Sequence, residues 1–451
     1  MHQQILTSRR RFIEVGSLLF GGLGLTELLR LRAQTAEKSG KPELDTAVIL
    51  LWLEGGPSHM ETYDLKPNAP REYRGEFLPI KTNVPGMDVC ELMPLHAGFA
   101  DRMSIIRSIS HKVTDHPGAA GRVLTGRRPK NISAIHSEHP TFDSIVGKLR
   151  EGQARSGIPH FVSNKSALKG GGAAYLGPTC APFVVDKDPA DPDFTVQNLS
   201  LDEKFGRRLD DRLSVLKGLD RLRRDVDASK QITAGDRFQQ RAIEMLSSTA
   251  TRDAFDLARE PSQTRDRYGR NTAGQGALLA RRLVEAGCSM VTLDWGNVSR
   301  KYGTWDDHGD GHHIFKAMRD RLPKFDRALT ALIEDLYQRG LNKRVLLVVT
   351  GEFGRTPKVN MGRAAKPIWP GRDHWPAAMS VMVSGGGMRM GQVIGSTNSK
   401  GEHPLERPLS PNDLLATIYR FLGIKPEASF ANQRGRPMPI LPYGKVIHEL
   451  M

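Results

Sequence analysis

A short apolar run without a charge, from Leu346 to Val349, constrains the fold of this chain more than any other stretch. Apolar and β-branched residues in such a run predict a strand that is buried on both faces of a sheet. The run ends at Thr350, and Glu352 and Arg355 follow within a few residues. In an open parallel sheet, ligands bind beyond the carboxyl ends of the strands. The stretch therefore predicts a buried strand that delivers charged side chains to a binding edge.

Other segments of the chain repeat this organisation. Four further apolar runs have the length of strands: Thr46–Leu53, Met103–Ile106, Cys288–Leu293 and Met379–Val383. Segments with helical periodicity alternate with the runs: Thr141–Leu149, Thr272–Ala286, Phe315–Leu336 and Asp413–Leu422. Within the third of these segments, Pro323 predicts that the helix restarts. The alternation predicts an α/β fold with a mostly parallel sheet.

The composition is that of an ordinary soluble protein, with 39% hydrophobic and 25% charged residues. The formal net charge of +15 favours anionic partners. Aromatic residues make up only 6% and no basic block contains interleaved aromatics, so nucleic-acid binding is not predicted. The three cysteines, Cys90, Cys180 and Cys288, are too few and too scattered for a disulfide framework or a thiolate metal site.

Residues 1–36 have the features of an export signal. The sequence SRRRFI at Ser8–Ile13 resembles a twin-arginine motif, and a moderately apolar stretch follows it at Val15–Leu29. That stretch is short and rich in glycine for a membrane span, and a basic amphipathic start is the alternative interpretation. No clean cleavage motif is present, so an uncleaved signal would be the segment that contacts the membrane. We predict export by the twin-arginine machinery to the periplasm or cell envelope.

The rest of the chain divides into a linker, one large domain and a tail. Residues 37–45 are polar and form the linker, and the α/β domain is expected at 46–425. Residues 201–260 are rich in charge and contain no proline, which predicts a solvated helical insertion without chemistry. Residues 426–451 form a proline-rich tail.

Carboxylates and imidazoles cluster just after the apolar runs or in the loops that the runs lead into. The segments are Glu54–Asp64, His111–His116, Asp306–His313, and Glu352 with Asp373 and His374. Such a mixture suits Zn, Mn, Fe or Ca and not a thiolate site. Two neighbouring cations would clamp the attacking and leaving oxygens of an ester. The sequence therefore predicts a site for divalent metal ions.

The candidate metal ligands are Glu54, Asp306, Asp307, His308, Glu352, Asp373 and His374. Asp373 is either a ligand or the partner that orients His374. Arg355 is either an anion clamp or the counter-ion to Glu352. Among the neighbouring histidines, at most one of His312 and His313 can face the site, because both open the same helix. The candidate substrate-binding residues are Ser58, His59, Arg127 and Arg372, although His59 is also placed to cap a turn.

These motifs together resemble one bacterial protein family. In chain order they are LWLEGGPSHMETYDLKP at 51–67, WDDH at 305–308, GEFGRTP at 351–357, GRDHWP at 371–376 and GGGMRMGQVIGST at 385–397. The combination resembles the sulfatase-like family called domain of unknown function 1501, from the export signal to about residue 425. The resemblance implies the alkaline phosphatase and sulfatase superfamily fold, a doubly wound sheet with helices on both faces. Two metals and a nucleophile would lie at the strand ends.

The resemblance also implies roles for single residues. The metal-binding aspartate after the first strand corresponds to Glu54. The carboxylate of the Asp-His pair after a later strand corresponds to Glu352, and the lone late histidine corresponds to His374. Asp307 and His308 would supply the aspartate and the histidine of the other metal site.

His116 stands at the nucleophile position of the family pattern. The sequence HPGAAGRVLTGR at 116–127 resembles the sulfatase stretch that ends in leucine-threonine-glycine-arginine, but it has no cysteine for formylglycine. The nearest hydroxyls belong to Thr114, Ser58 and Thr62, and Thr62 is retained as a catalytic candidate beside His116 and Arg355. If water activated by a metal attacks instead, His116 would be a metal ligand or a general acid/base.

Three interpretations of the function are open. The leading one is an exported metal-dependent hydrolase of sulfate or phosphate esters, with a small anionic ester or a sulfated glycan as substrate and Zn, Ca or Mn as the metal. The second is a cell-envelope protein that keeps the fold, binds anions or glycans and has lost turnover. It is motivated by the missing nucleophile and by Phe353, which replaces an imidazole of the family pattern. The third is an anchored structural protein with a buried ion network.

Overall fold

The computed structural model describes residues 45–150, 157–196, 245, 248–298, 301–363 and 366–451. The predicted signal at 1–36 lies outside these residues, as do nearly all of the linker at 37–45 and most of the charged segment at 201–260. Thr46–Met451 forms one compact unit. Within the described ranges, no helix has the length and apolar character needed to cross a membrane.

Eight strands form the central sheet. In chain order they are β1 (Ala47–Trp52), β2 (Met103–Ile109), β3 (Phe161–Ser163), β4 (Phe183–Val184), β5 (Met290–Asp294), β6 (Val345–Thr350), β7 (Met379–Gly385) and β8 (Gln392–Ile394). Their order across the sheet is β8-β2-β7-β6-β1-β5-β3-β4. β7 runs antiparallel to both of its neighbours, and the other neighbouring strands pair in parallel. The predicted α/β fold with a mostly parallel sheet is confirmed.

Helices cover both faces of this sheet. The described α-helices are α1 (Arg71–Arg74), α2 (Pro94–Phe99), α3 (His116–Thr125), α4 (Phe142–Leu149), α5 (Thr249–Phe255), α6 (Ser262–Tyr268), α7 (Thr272–Glu285), α8 (Ile314–Gln338) and α9 (Pro411–Phe421). Successive side chains of a strand point to opposite faces. Ile49 and Leu51 of β1 therefore pack in one core with α7 and α8, and Val48 and Leu50 pack in the other with α3, α4 and α9. The sheet is doubly wound, as expected.

Five two-stranded sheets lie in the described loops around the central sheet. They are Pro79–Lys81 with Asp88–Cys90, Gly354–Arg355 with His374–Trp375, Asn360–Met361 with Pro370–Gly371, Ser396–Thr397 with Pro404–Glu406, and Ser429–Ala431 with Pro437–Pro439. The second pair matters most for the site, because it fixes the segment that follows β6 against the segment that carries His374.

The predicted restart of the long helix at Pro323 is wrong, because α8 continues through this residue. Proline lacks the N–H that would bond to the carbonyl four residues earlier. The buried side chains of Leu322, Phe325 and Leu329 pack in one core on both sides of the proline. Their burial holds the helix together across the missing hydrogen bond.

The proline-rich segment 426–451 packs on the sheet face that carries α9. Ile440, Leu441, Ile447 and Leu450 are buried there. The segment thus contributes apolar side chains to the core of the large unit.

Candidate metal centre

The carboxyl ends of parallel strands bring the charged segments together. Glu54 follows β1, Asp294 ends β5, and Glu352 follows β6. The loop after β2 leads to His116 at the start of α3. The backbone N–H of Gly55 donates to Oε1 of Glu352 at 2.9 Å, which ties the loop after β1 to the loop after β6. These loops form the edge at which an open parallel sheet binds its ligands.

Four side chains meet at this edge: His116, Asp306, His308 and His374. One potential ligand atom of each lies within 4.8 Å of those of the others, and this is the one such group found in the described part of the chain. Oδ1 of Asp306 lies 2.8 Å from Nε2 of His308 and 3.2 Å from Nε2 of His374. Oδ2 lies 3.2 Å from Nε2 of His116. The three imidazoles thus face one carboxylate.

Each of these imidazoles is anchored through its other ring nitrogen. The three Nδ1 contacts are His116 with Oε1 of Glu352 at 2.7 Å, His308 with Oδ1 of Asp373 at 2.8 Å, and His374 with the carbonyl of Thr114 at 2.7 Å. Such outer contacts fix the orientation of a ring and leave the second nitrogen for a metal ion. The anchoring is therefore what a preformed metal site requires.

The donor set fits a divalent transition metal. Bonds of about 2.0–2.1 Å to Zn²⁺ place neighbouring donors of a tetrahedron about 3.3 Å apart. Nε2 of His308 lies 3.0 Å from Nε2 of His374, and the carboxylate contacts of His116 and His374 measure 3.2 Å. The four side chains are 22–33% exposed, so an ion held by them would be reached from solvent. The ligand roles of Asp306, His308 and His374 stay predictions that this geometry supports.

Electrostatic effects couple the protonation of these groups. Burial alone would raise the pKa of Asp306, but hydrogen bonds from His116, His308 and His374 hold this pKa well below its usual range. Burial would lower the pKa of His116, and contacts with Asp306 and Glu352 raise it to about 9. The hydrogen bond to Asp306 raises the pKa of His308. The negative charge of Asp306 therefore favours the protonated forms of His116 and His308, and a bound cation would replace those protons.

Glu352 lies behind His116, as an orienting residue. Its Oε1 contacts His116 and Gly55, and its Oε2 has no hydrogen-bond partner among the described residues. Nε2 of His111 donates to the backbone carbonyl of Glu352 at 2.7 Å. The ring of Phe353 packs against His116 and His374, with centroids 5.1 and 4.4 Å apart. Glu352 and Asp373 thus lie behind the rings of His116 and His308, and the ligand roles expected for the two carboxylates stay predictions.

Arg355 is fully buried and contacts Asp306, whereas an anion clamp or a counter-ion to Glu352 was expected. Its Nη2 lies 2.5 Å from Oδ1 of Asp306 and also donates to the carbonyl of Gly55. Nε donates to the carbonyl of Gly56 at 2.9 Å, and Nη1 donates to the carbonyl of Arg372 at 3.1 Å. Every nitrogen of the guanidinium is engaged inside the protein, and the role of anion clamp stays a prediction.

Asp307, an expected ligand, forms a separate buried ion pair. Nη1 of Arg321 lies 2.8 Å from its Oδ2, and both side chains are 0% exposed. Nε2 of His312 lies 2.9 Å from Oδ1 of Asp307. Both carboxylate oxygens of Asp307 are therefore bonded within the protein. Asp307 is absent from the cluster, which forms around its neighbour Asp306.

Glu54, another expected ligand, binds two lysines instead. Nζ of Lys165 lies 3.0 Å from its Oε2, and Nζ of Lys169 lies 2.9 Å from its Oε1. Lys165 also contacts Oδ2 of Asp294. These lysines stand in a loop-rich segment without periodicity, where no sequence signal marks them. Asp294 could have been found, because it ends an apolar strand as Glu54 does.

Four expected site residues lie in a different buried network. The hydroxyl of Thr62 donates to the carbonyl of Ser58 at 2.8 Å, and Nη2 of Arg372 lies 2.6 Å from Oε1 of Glu61. Nε2 of His59 contacts the carbonyl of Gly401 at 2.8 Å. All of these side chains are buried, with exposures of 0–3%. The structure does not bring them to the cluster, and the catalytic and substrate-binding roles expected for them stay predictions.

Arg127 also binds within the protein. Its Nη2 donates to the carbonyl of Pro439 at 2.6 Å, which fastens the end of α3 to the C-terminal segment. The contact gives this arginine a structural role, and its expected role in substrate binding stays a prediction.

Known proteins were compared with the chain. No curated protein gives a significant match. Similar solved structures include the PsFucS1 sulfatase from Pseudoalteromonas sp., with 11% identity, a TM-score of 0.39, and coverage of 88% of this chain and 70% of that chain. Alkaline phosphatase from the Antarctic bacterium TAB5 has 14% identity, a TM-score of 0.34, and coverage of 85% and 99%. Lipoteichoic acid synthase LtaP from Listeria monocytogenes has 11% identity, a TM-score of 0.36, and coverage of 86% and 75%.

These TM-scores and sequence identities are too low to indicate the reaction of this chain. The expected family, in contrast, is confirmed. Residues 45–451 match the family described as protein of unknown function (DUF1501), and the chain belongs to this family.

Proposed function

We propose that this chain is a metal-dependent hydrolase of sulfate or phosphate esters that works in the periplasm or cell envelope. The observation that carries the proposal is the set of three anchored imidazoles turned onto Asp306 at a partly exposed strand edge. A purely structural ion network would satisfy its groups away from solvent, whereas the four side chains of this cluster are 22–33% exposed. A divalent metal held by these four residues would polarise an ester oxygen and activate water.

The chain's own residues would hold and orient the reacting groups. Glu352 and Asp373 fix the rings of His116 and His308. Phe353 closes one side of the cluster, so an ester would approach from the exposed side. No side-chain hydroxyl or thiol in the described ranges is hydrogen-bonded to the four residues of the cluster. The attacking group we propose is therefore water, without a covalent enzyme intermediate.

The substrate class and the location are supported by the sequence. The net charge of +15 favours anionic substrates, such as small sulfate or phosphate esters and sulfated glycans. The sulfatase-like motifs agree with this class. The SRRRFI motif supports export of the folded chain by the twin-arginine machinery.

The proposal is tested by purifying the protein without chelators and measuring its metal content and its hydrolysis of aryl sulfate, aryl phosphate and aryl phosphodiester substrates. We expect bound divalent metal and hydrolysis of at least one substrate. His308→Ala should lose both, while Lys81→Met, which removes an exposed lysine, should keep both. Metal-free protein that hydrolyses none of these esters would refute the proposal.

A second candidate is a non-catalytic envelope protein that binds anions or glycans. It is favoured by the number of protein donors, because four of them fill the shell of a tetrahedral zinc ion, as in structural sites. This candidate predicts that the metal-loaded protein binds sulfated glycans without releasing sulfate. Release that is lost in His308→Ala would exclude it.

A further inference from the structure

At the same sheet edge, two buried carboxylates form ion pairs with lysine side chains of this chain. Glu54 follows β1, Asp294 ends the neighbouring β5, and each residue is 9% exposed. Nζ of Lys165 lies 3.0 Å from Oε2 of Glu54 and contacts Oδ2 of Asp294. Nζ of Lys169 lies 2.9 Å from the other oxygen of Glu54. The two ammonium groups balance the two carboxylates.

The need for this balance follows from the position of the pair. Two carboxylates that are close together and shielded from water repel each other. Burial and the charge of Glu54 raise the pKa of Asp294 to about 6. A cation between the two groups removes that repulsion, and Lys165 is the cation that touches both.

The cluster and the carboxylate pair therefore differ in whether a cation from outside the chain is needed to balance their charge. The cluster offers three imidazole nitrogens, whose protons a metal ion would replace, and one carboxylate, while the pair offers oxygens that are already neutralised. From this contrast we infer that the centre takes one nitrogen-preferring transition-metal ion, at His116, Asp306, His308 and His374, and that the ammonium group of Lys165 occupies the place of a second cation between Glu54 and Asp294. The inference rests on the proposed function for the presence of the first ion.

The chemistry of the donors also selects the metal. Imidazole nitrogens suit Zn²⁺ and similar transition metals, whereas Ca²⁺ and Mg²⁺ prefer shells of oxygen. The oxygen-rich place, at Glu54 and Asp294, is the one that would suit Ca²⁺ or Mn²⁺, and Lys165 fills it. The two-metal expectation of the superfamily resemblance is thus replaced by a mononuclear centre.

The first experiment uses the full, unaltered protein. It is stripped of metal, reloaded with Zn²⁺ or Ca²⁺, desalted, and analysed for metal content and for the X-ray absorption spectrum of zinc. We expect one Zn²⁺ per chain, a spectrum with imidazole scattering from three histidines, and no retained Ca²⁺. Retention of two Zn²⁺ ions, of none, or of Ca²⁺ would overturn the inference. One bound Zn²⁺ without ester hydrolysis would refute the proposed function and leave the inference standing.

The second experiment removes the ammonium group. Zinc-loaded Lys165→Met is titrated with Mn²⁺, and free Mn²⁺ is followed by electron paramagnetic resonance. We expect the variant to bind one Mn²⁺ that the wild type does not bind. Lys81→Met, which breaks an exposed pair with Asp88, is the control and should bind none. A variant that binds no Mn²⁺, or a control that does, would contradict the role of Lys165. If Lys165→Met does not fold, the wild-type stoichiometry still decides.

Discussion

Nδ1 of His308 lies 2.8 Å from Oδ1 of Asp373, and this contact turns the opposite ring nitrogen towards Asp306. Asp373 is close to His374 in the sequence, so one short segment carries both a ring of the cluster and the anchor of another ring. The pairing of Gly354–Arg355 with His374–Trp375 holds that segment against the chain that leaves β6. The backbone pairing thus fixes the position of the segment that orients the ring of His308.

The first prediction concerns this anchor. Asp373→Ala should lower the affinity for Zn²⁺ by about 10–100-fold, because outer partners of ligating histidines contribute by that amount. Competition with a chromophoric chelator measures the affinity. Asp193→Ala, which removes an exposed carboxylate paired with Lys187, is the control and should leave the affinity unchanged. An unaltered affinity in Asp373→Ala would show that the anchor does not act on a metal.

The second prediction concerns the close approach of Gly55 to Asp306. Gly55 has φ +107°, and a Cβ there would lie 2.5 Å from the backbone nitrogen of Asp306. Gly55→Ala should displace Asp306 and lower the Zn²⁺ affinity by at least about tenfold, since one ligand is misplaced. Gly86 has φ +83° and open space around its Cβ position, so Gly86→Ala carries only the strain of a positive φ, about 1–2 kcal/mol.

Calorimetric titration with Zn²⁺ and urea unfolding separate these two effects. Both alanine variants should lose stability, and only Gly55→Ala should lose affinity. Equal affinities in the two variants would contradict the idea that Gly55 positions Asp306.

The third prediction concerns the buried pair of Asp307 and Arg321. Arg321→Met should destabilise the protein by about 3–5 kcal/mol, because it leaves the carboxylate of Asp307 buried without its cation. Arg319→Met, on the same helix, breaks an exposed pair with Glu76 and should cost less than about 1 kcal/mol. Urea unfolding measures both changes. Similar losses in the two variants would mean that the buried pair is not decisive.

Five of the eight strands could be predicted from the sequence, because an uncharged apolar run such as that of β6 has few alternatives to burial in a sheet. The same argument located the sheet edge that carries the site, since Glu54 and Glu352 closely follow such runs. The antiparallel direction of β7 could not be predicted, because an apolar run carries no information on the direction in which it pairs.

Which side chains share the site could not be predicted in the same way. Asp306 and Asp307 are neighbours in sequence, yet one centres the cluster and the other binds Arg321. That choice depends on the course of the loop before α8, which Gly55 contacts closely. The contacts of Lys165 could not be predicted, because a loop without periodicity does not indicate which strand end its side chains reach. Spacing along the chain identifies ligand-type residues, and only tertiary packing assigns their partners.

The last prediction concerns the pH dependence of stability. Burial lowers the pKa of His111 to about 4, and the ring accepts a hydrogen bond from the backbone N–H of Val113 while Nε2 donates to the carbonyl of Glu352. In the unfolded chain a histidine takes up its proton near pH 6.5. Between pH 6.5 and 4 the unfolded state therefore binds more protons at this position, so stability falls as the pH is lowered through that window.

His111→Gln removes this proton uptake and keeps a donor for the carbonyl of Glu352. The stability of the wild type relative to the variant should therefore fall by up to about 3 kcal/mol between pH 6.5 and pH 4. Urea unfolding of both proteins in the same buffers measures this difference, and contributions of other titrating groups cancel in it. A difference that stays constant over the window would mean that the folded protein admits a charged His111, and that the loop after β2 opens to solvent more easily than its burial indicates.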